Sequence, residues 1–284
     1  MPYSYRLVGQ RRAVVKALRK DPRLRQESLL WPGIVVVRLS DVTPPLDKTL
    51  IVMPAYNEEA SVANVVREVK KALPGVQCLV VDDGSSDHTA ERAGGAGALV
   101  ARLPFNLGVG GAMRVGFKYA LENGYANVVQ IDSDGQHDPA SARALINALN
   151  DADLVLGARF AGEGNYEVRG PRRWAMRVLA SILSRTARTR LTDTTSGFRA
   201  TGPKAVALFA KHYPAEYLGD TIEALVIAAK AGCIVVQVPV AMRPRAGGVP
   251  SQDPFKAAAY LGRACVALIF AYIRPISSPQ VESN

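Results

Sequence analysis

Two acidic clusters stand where apolar runs stop. Asp82-Asp83-Gly84-Ser85-Ser86-Asp87 follows Cys78-Leu79-Val80-Val81, and Asp132-Ser133-Asp134 follows Asn127-Val128-Val129-Gln130-Ile131. Two carboxylates spaced two residues apart supply oxygen ligands to a hard divalent cation such as magnesium or manganese, and such a cation also bridges a diphosphate. The combination points to nucleotide chemistry. A turn with a helix N-cap at Ser86 or Asp87 accounts for much of the first cluster. It accounts for less of the second, because packing gives no reason to leave acidic groups beside a buried strand. Gly108-Val109-Gly110-Gly111 hints at a dinucleotide fingerprint but fails on spacing, since Met113 stands where the third glycine belongs. No GxxxxGKS or GxxxxGKT phosphate loop is present either, so nucleotide binding rests on something other than a glycine cradle.

Such clusters need a frame that gathers strand ends. From Thr49 onward short β-branched runs alternate with amphipathic stretches: a strand at Leu50-Ile51-Val52-Met53, a helix over Ser61 to Leu73, then the strand at 78–81. The pattern continues through a strand at Ala98-Leu99-Val100, a helix from about Gly110 to Glu122, and the strand at 127–131. A helix from about Pro139 to Leu149 and a strand at Asp153-Leu154-Val155-Leu156 follow. Buried runs joined by helices of this length predict an α/β fold with an open, mostly parallel sheet, and ligands bound at the carboxyl ends of its strands. Gly162, Gly164 and Gly170 predict a loop over 157–170. A helix is expected over Pro171 to Arg188, apolar on one side and carrying Arg172, Arg173, Arg177, Arg185 and Arg188 elsewhere. A helix from Asp220 to Ala231, a strand at 234–238 and a Gly/Pro-containing loop over 243–253 complete the pattern. Residues 257–273 are the most apolar stretch. At helical rise they reach only about 25 Å, short of a roughly 30 Å hydrocarbon core, and Arg263 interrupts them. An interfacial or buried core helix is expected there, not a span.

Of the 284 residues, 48% are hydrophobic and 21% charged, enough apolar surface to bury a core and too ordinary a balance for disorder or collagen-like structure. Cys78, Cys233 and Cys265 lie far apart with no CxxC spacing, which argues against a disulfide framework or a structural zinc site and for a reducing, cytoplasmic compartment. The first twenty residues contain no apolar run, so no secretory signal is readable. The net charge of +10 is concentrated in two places. Residues 1–48 hold ten Lys/Arg against four Asp/Glu, and residues 159–190 hold eight Arg against two Glu. Both segments suit an acidic partner, whether a phosphate-bearing substrate, an anionic membrane or nucleic acid; a solvated basic surface is the plainer alternative.

Five motifs, taken together, carry a family resemblance. Met53-Pro54-Ala55-Tyr56-Asn57-Glu58-Glu59, Val81-Asp82-Asp83-Gly84-Ser85, Asn106-Leu107-Gly108, Asp132-Ser133-Asp134-Gly135-Gln136-His137 and Ser196-Gly197-Phe198-Arg199 occur in the order seen in glycosyltransferase family 2. The chain most resembles the branch containing dolichol-phosphate mannosyltransferases and bacterial polyprenyl-phosphate glycosyltransferases, over about residues 49–245. The resemblance implies a Rossmann-like GT-A fold with C-terminal amphipathic helices. It divides the chain into a basic N-terminal extension (1–48), a GT-A domain (49–245), and a C-terminal loop with an apolar interfacial or core helix (246–284). It implies that Pro54, Ala55, Tyr56 and Glu58 border the base and ribose of a nucleotide sugar. Asp82 would accept a hydrogen bond from the base, with Asp83 and Gly84 shaping the same wall. Asp132, Ser133 and Asp134 would meet the diphosphate, and Asp132, Asp134 and Gln136 would hold Mg2+ or Mn2+. His137 reads either as a supporting group for that set or as a surface histidine at a helix start. Arg159 and Arg199, with Ser196 beside them, are the expected cationic partners of the leaving diphosphate and an acceptor phosphate, through the fixed fork of guanidinium donors. Arg243 and Arg245 are further candidates, although the loop after them ends Ser251-Gln252-Asp253 where the branch usually has a basic, serine-lysine ending.

The acceptor decides which catalytic groups are necessary. A phosphate oxygen, already ionised at neutral pH, attacks without a general base, whereas a sugar hydroxyl needs a carboxylate to take its proton. Asp193 stands where the branch carries an aspartate near the reaction centre and reads as a base or an acceptor-orienting group. Asp220 lies three residues before Glu223 on a predicted helix. For a hydroxyl acceptor the resemblance implies that it is the better base candidate, since soluble members of the superfamily often place an acidic residue there, with helix capping as the competing explanation. The expected reaction is metal-dependent, inverting transfer of a hexose, mannose or glucose, from a GDP- or UDP-sugar to a polyprenyl phosphate. A peripheral cell-envelope enzyme at the cytoplasmic face of the membrane, held there by helices 171–188 and 257–273, fits that reading. A soluble family 2 transferase acting on a saccharide or small-molecule hydroxyl stays open beside it. So does a non-catalytic nucleotide-sugar-binding protein, which the intact Asp132-Ser133-Asp134 disfavours. Nucleic acid is not an expected partner, because no aromatic interleaving or binding motif accompanies the basic segments. The motifs do not distinguish guanine from uracil and carry no signal of oligomeric state.

Overall fold

The computed structural model describes residues 44–158, 180–187, 189–194, 196–214 and 220–243, with only the backbone at 220. The N-terminal extension up to residue 43, most of the Arg-rich helix, Arg159, Arg245 and the apolar stretch 257–273 lie outside the described residues.

A 3-10 turn at Leu46–Lys48 leads into β1 (Thr49–Ala55), α1 (Val62–Ala72), β2 (Gln77–Asp82), α2 (Thr89–Gly95), β3 (Leu99–Arg102), α3 (Gly108–Glu122) and β4 (Asn127–Gln130). A 3-10 turn at Pro139–Ser141 runs into α4 (Ala142–Ala148), followed by β5 (Leu154–Ala158). Helical residues 180–187 (α5), β6 (Arg199–Thr201), α6 (Pro203–His212), α7 (Asp220–Lys230) and β7 (Val235–Pro239) follow. The sheet order is β3-β2-β1-β4-β6-β5-β7. All pairings are parallel except those of β6, which runs antiparallel between β4 and β5. The mostly parallel sheet is therefore as expected, with β6, α2 and α6 as additions. Gly157 and Ala158, expected to open the loop at 157–170, instead pair with Val238 and Pro239 of β7, and the rest of that loop lies outside the described residues.

The sheet is covered on both faces, which is why β1 is buried at every position and reads as a continuous apolar run. Alternate β1 residues enter different cores. Leu50 and Val52 pack with α3, α6 and α7, where Phe117 lies 5.2 Å from Phe209 and 5.0 Å from Tyr213 between ring centroids. Ile51 and Met53 pack with α1 and α4, through Val62, Val65, Val66 and Val69 on one stripe of α1 and Leu145 and Ile146 on α4. Cys78 and Cys233 are buried, unbridged thiols that burial pushes up to about 11. Among the described residues no helix is long and apolar enough to cross a membrane.

Candidate functional site

Parallel pairing of β1, β2 and β4 delivers their carboxyl ends to one edge, with Ala55 opposite Asp82 and Val52 opposite Gln130. The chain leaving β1 is laced to the chain leaving β2. Asp83 N–H donates to the Ala55 carbonyl (2.8 Å), Asn57 N–H to Ser85 Oγ (2.9 Å), Ser86 N–H to Asn57 Oδ1 (2.9 Å) and Glu58 N–H to Thr89 Oγ1 (2.8 Å). Asn57 adopts φ +54°, a conformation asparagine tolerates better than most residues. Of the residues expected around the base and ribose, Pro54 and Ala55 are buried in β1, while Tyr56 is 49% exposed on the edge. The Glu58 carboxylate accepts from Ser61 Oγ (2.8 Å) at the start of α1. The residue in the N-cap position of α2 is His88, not Ser86 or Asp87 as expected. Asp87 Oδ1 accepts from Thr89 N–H, and its Oδ2 accepts from Glu59 N–H (3.1 Å).

Asp83 and Gly84 fasten this wall to the start of α3. The Asp83 carboxylate takes Leu107 N–H on one oxygen (2.7 Å) and Gly108 N–H on the other (2.8 Å), satisfying donors that a helix start leaves orphaned. Burial pushes this carboxyl above its ordinary value of 3.8, against the pull of those two donors and with Asp82 adding to the rise. Gly84 sits at φ +75°, and a Cβ there would lie 2.8 Å from the Phe105 carbonyl carbon. Only glycine permits that approach. The Asp83-Gly84 pair and the Asn106-Leu107-Gly108 motif are thus two halves of one joint. Asp82 is fully buried. Its Oδ1 accepts from Ser85 N–H (3.0 Å), and its Oδ2 lies 3.3 Å from Arg102 Nε without a hydrogen-bond alignment. Arg102 also donates to the Ser85 carbonyl (3.2 Å) and, with Gly84, Ser85, Leu103 and Pro104, lines a cavity of about 350 Å³. Sequence reasoning passed over Arg102; the available signal was its place at the end of β3, in register with Asp82.

The second cluster is assembled by the antiparallel strand. Gln130 at the end of β4 pairs with Arg199 at the start of β6, so the chain leaving β4 meets the chain entering β6. A Cβ on Gly197 would lie 3.2 and 3.4 Å from the two Asp132 carboxylate oxygens and 3.1 Å from Gln130 Nε2, which itself donates to Asp132 Oδ1 (3.3 Å). The Asp132 side chain keeps 37% of its surface exposed. Ser133 is buried, and its hydroxyl donates to the Pro54 carbonyl (2.9 Å), tying the end of β4 to the end of β1. Asp134 Oδ1 accepts from Gln136 N–H (3.0 Å) across Gly135, which turns at φ +78°. His137 is no surface histidine. It is 3% exposed, its ring stacks on Phe198 (4.8 Å, 12°), and its backbone bridges Met242 beyond β7.

The remaining predicted residues come from the segment entering β6 and the segment following β7. Asp193 and Ser196, before β6, are buried, and Ser196 Oγ accepts from Phe198 N–H (3.3 Å). Gln237 of β7 donates to the Asp193 carbonyl (2.8 Å) and accepts from Thr192 N–H (2.8 Å). Arg199, expected to face a phosphate, is 4% exposed and donates to three carbonyls: Ser196 through Nε (2.8 Å), Thr221 through Nη1 (2.8 Å) and Thr194 through Nη2 (3.3 Å). It ties Thr194 and Ser196 to the first turn of α7, whose first residue is Asp220. Arg243 likewise meets carboxylates, bonding Glu68 and Asp138 (2.9 Å), and its N–H donates to the Gln136 carbonyl (2.9 Å). The hydrogen bond to Glu68 raises its already high pKa.

The family model described as Glycosyl transferase family 2 matches residues 50–208, more than half of the chain, from within β1 into α6. The chain belongs to glycosyl transferase family 2. This family 2 protein is 34% identical over 178 residues to a polyprenol monophosphomannose synthase of Mycolicibacterium smegmatis, covering 55% of this chain and 62% of that protein. It is 34% identical over 163 residues to an undecaprenyl-phosphate mannosyltransferase of Micrococcus luteus, covering 54% and 65%. The family 2 chain thus spans just under two thirds of the length of these curated relatives. Its fold matches glucosyl-3-phosphoglycerate synthase from Mycobacterium tuberculosis, solved with Mn2+, UDP and glucosyl-3-phosphoglycerate, at a TM-score of 0.60 and 21% identity over 87% of each chain. The fold is of the GT-A type.

Proposed function

We propose that this family 2 protein transfers a hexose from a GDP- or UDP-sugar to a polyprenyl phosphate. The observation that carries the reading is the meeting of Asp132, at the end of β4, with the Ser196-Gly197 turn entering β6, which joins a donor-side carboxylate to the wall that holds Asp193 and Ser196. The names of the two mannosyltransferase relatives supply the acceptor class.

Asp132, Asp134 and Gln136 fit a hard cation by donor chemistry: two carboxylates and an amide oxygen, with no competing thiolate. Among the described residues no group of three or more His, Cys, Asp or Glu is placed to hold a metal ion. An ion at Asp132, Asp134 and Gln136 would therefore need water and substrate phosphate oxygens to complete its shell, as magnesium commonly does. When bound, such an ion neutralises charge growing on the leaving diphosphate, a contribution of several kcal/mol in comparable sites. The chain's own residues do the rest. The β1–β2 wall receives the nucleoside, with the buried Asp82 Oδ2 as acceptor for a base N–H and Tyr56 exposed beside it. Asp193 and Ser196 orient the acceptor, and Arg199 holds their turn in place. An acceptor phosphate oxygen then displaces the nucleoside diphosphate at the anomeric carbon in one step, with inversion and no covalent enzyme intermediate. Arg159 is the cation proposed for the acceptor phosphate. The basic segment 159–190 would favour the cytoplasmic membrane face, at on the order of 1 kcal/mol per basic residue near anionic lipid.

The acceptor class is tested by Asp220→Asn. A phosphate nucleophile needs no base, so the transfer rate should stay within about threefold of the parent. A loss of about 100-fold or more, the usual size of a general-base contribution, would move the reading to a hydroxyl acceptor.

A further inference from the structure

His137 takes no part in the reaction just described, yet it is buried against the residue that matters most to it. Its Nδ1 accepts the Asp132 main-chain N–H at 3.0 Å, so that nitrogen carries no proton and the ring N–H is on Nε2. Nε2 lies 3.5 Å from Asp132 Oδ2. One imidazole therefore touches both the peptide and the carboxylate of Asp132. The ring is itself fixed from outside. Phe198, in the strand-entry segment beside Gly197, covers one face, and the His137 backbone bridges Met242. The flanking residues repeat the attachment: the Gln136 carbonyl accepts Arg243 N–H, and the Asp138 carboxylate pairs with the Arg243 guanidinium. Packing alone would be served by any flat apolar ring at this position. It does not account for both nitrogens facing the same aspartate.

We infer that His137 is a positioning residue, which sets the direction of the Asp132 carboxylate and ties it, through the backbone, to the segment that follows β7. The inference rests on the donor-site role of Asp132 proposed above. A group that orients a metal-binding carboxylate is worth about 10- to 100-fold in metal affinity or activity.

The experiment measures GDP and UDP binding calorimetrically, with and without Mn2+, for the parent, Asp132→Asn, His137→Phe and His137→Gln, with thermal unfolding recorded for each. His137→Phe keeps a ring for Phe198 to stack on and removes both nitrogens. His137→Gln keeps polar atoms that can reach the Asp132 peptide or carboxylate. The expected result is that Mn2+ strengthens nucleotide binding to the parent. That metal-dependent gain should fall at least 10-fold in His137→Phe, while metal-free binding stays within about twofold, and His137→Gln should recover part of the gain. A structural role alone would shift the unfolding temperature and leave the gain unchanged. If Asp132→Asn loses the gain and both His137 variants keep it within twofold, the positioning role is wrong and the donor site stands. If the parent shows no gain, or Asp132→Asn keeps it, the donor-site reading fails and the inference fails with it. Should His137→Phe not fold, His137→Gln decides: a metal-dependent gain more than twofold below the parent's, with Asp132→Asn losing it, supports the role, and a gain within twofold of the parent's overturns it.

Discussion

Gly197→Ala asks whether the Asp132 carboxylate works where the structure puts it. The added methyl would sit 3.2 and 3.4 Å from the carboxylate oxygens and 3.1 Å from Gln130 Nε2, closer than most carbon contacts in proteins. These atoms are the ends of side chains, so they can yield by a few tenths of an ångström, and the stability cost should be about 1 kcal/mol, the low end for overpacking. Function should be more sensitive. A misplacement of 1 Å can cost about 100-fold in rate, so a few tenths should cost roughly 3- to 10-fold in kcat/KM, or about 0.7–1.4 kcal/mol of transition-state stabilisation. Gly197→Val, with two more carbons at the same point, should cost well over 10-fold. The control is Gly202→Ala at the other end of β6, where the nearest atoms are 3.5 Å away and neither property should move. Initial rates of sugar transfer and urea unfolding, measured on the same preparations, give both quantities. A Gly197→Ala protein with parental kcat/KM would refute the reasoning, because the carboxylate would have been displaced without consequence.

Three further outcomes follow from the same geometry. Gly84→Ala should lose about 2–4 kcal/mol in urea unfolding, from the left-handed backbone and the collision with Phe105 together; a loss below 1 kcal/mol would mean that the joint can open. Arg199→Met should cost at least about 3 kcal/mol, since three carbonyls lose their donor inside the protein; parental stability would show that the clamp is dispensable. Asp83 makes stability depend on pH. Its folded pKa lies above 3.8, so the folded state binds more protons between 3.8 and the raised value, and its contribution, fully present below 3.8, is lost as pH rises through that value. The unfolding free energy of the parent relative to Asp83→Asn should therefore grow as pH is lowered from 7 towards 4, and a flat difference would contradict this.

The strand ends were legible because parallel sheets bury both faces: Asp82 and Asp132 stood out as carboxylates against runs such as Val80-Val81 and Gln130-Ile131, where only a sheet edge can hold them. β6 was not legible as a strand. Arg199-Ala200-Thr201 is three residues long, has no alternation to read, and is held by pairing with β4 and β5 contributed from elsewhere in the chain. The same tertiary contacts decided the polar residues. His137 looks like a surface group at a helix start until Phe198 and Met242 close over it. Arg199 and Arg243 are legible as cations, but not the carbonyls of Thr194, Ser196 and Thr221 or the carboxylates of Glu68 and Asp138 that they meet. Residue type announced a cation at each position; which anion or carbonyl it meets depends on loops distant in sequence. Gly84 and Gly197 are legible only as members of their motifs; composition and spacing do not reveal that the role of each is the space that a Cβ would fill.

The central claim is that Asp132 and Asp134 present a nucleotide sugar to a polyprenyl phosphate. Its most direct test is to incubate the protein with labelled GDP- and UDP-sugars, Mn2+ or Mg2+, and polyprenyl phosphate in detergent, and to identify the organic-phase product by mass spectrometry. The account predicts a single polyprenyl-phosphate hexose from one of the donors, formed with inversion and absent with Asp134→Asn. A donor that binds while its label appears only on a soluble hydroxyl acceptor, or a lipid product that Asp134→Asn still forms at the parental rate, would contradict it.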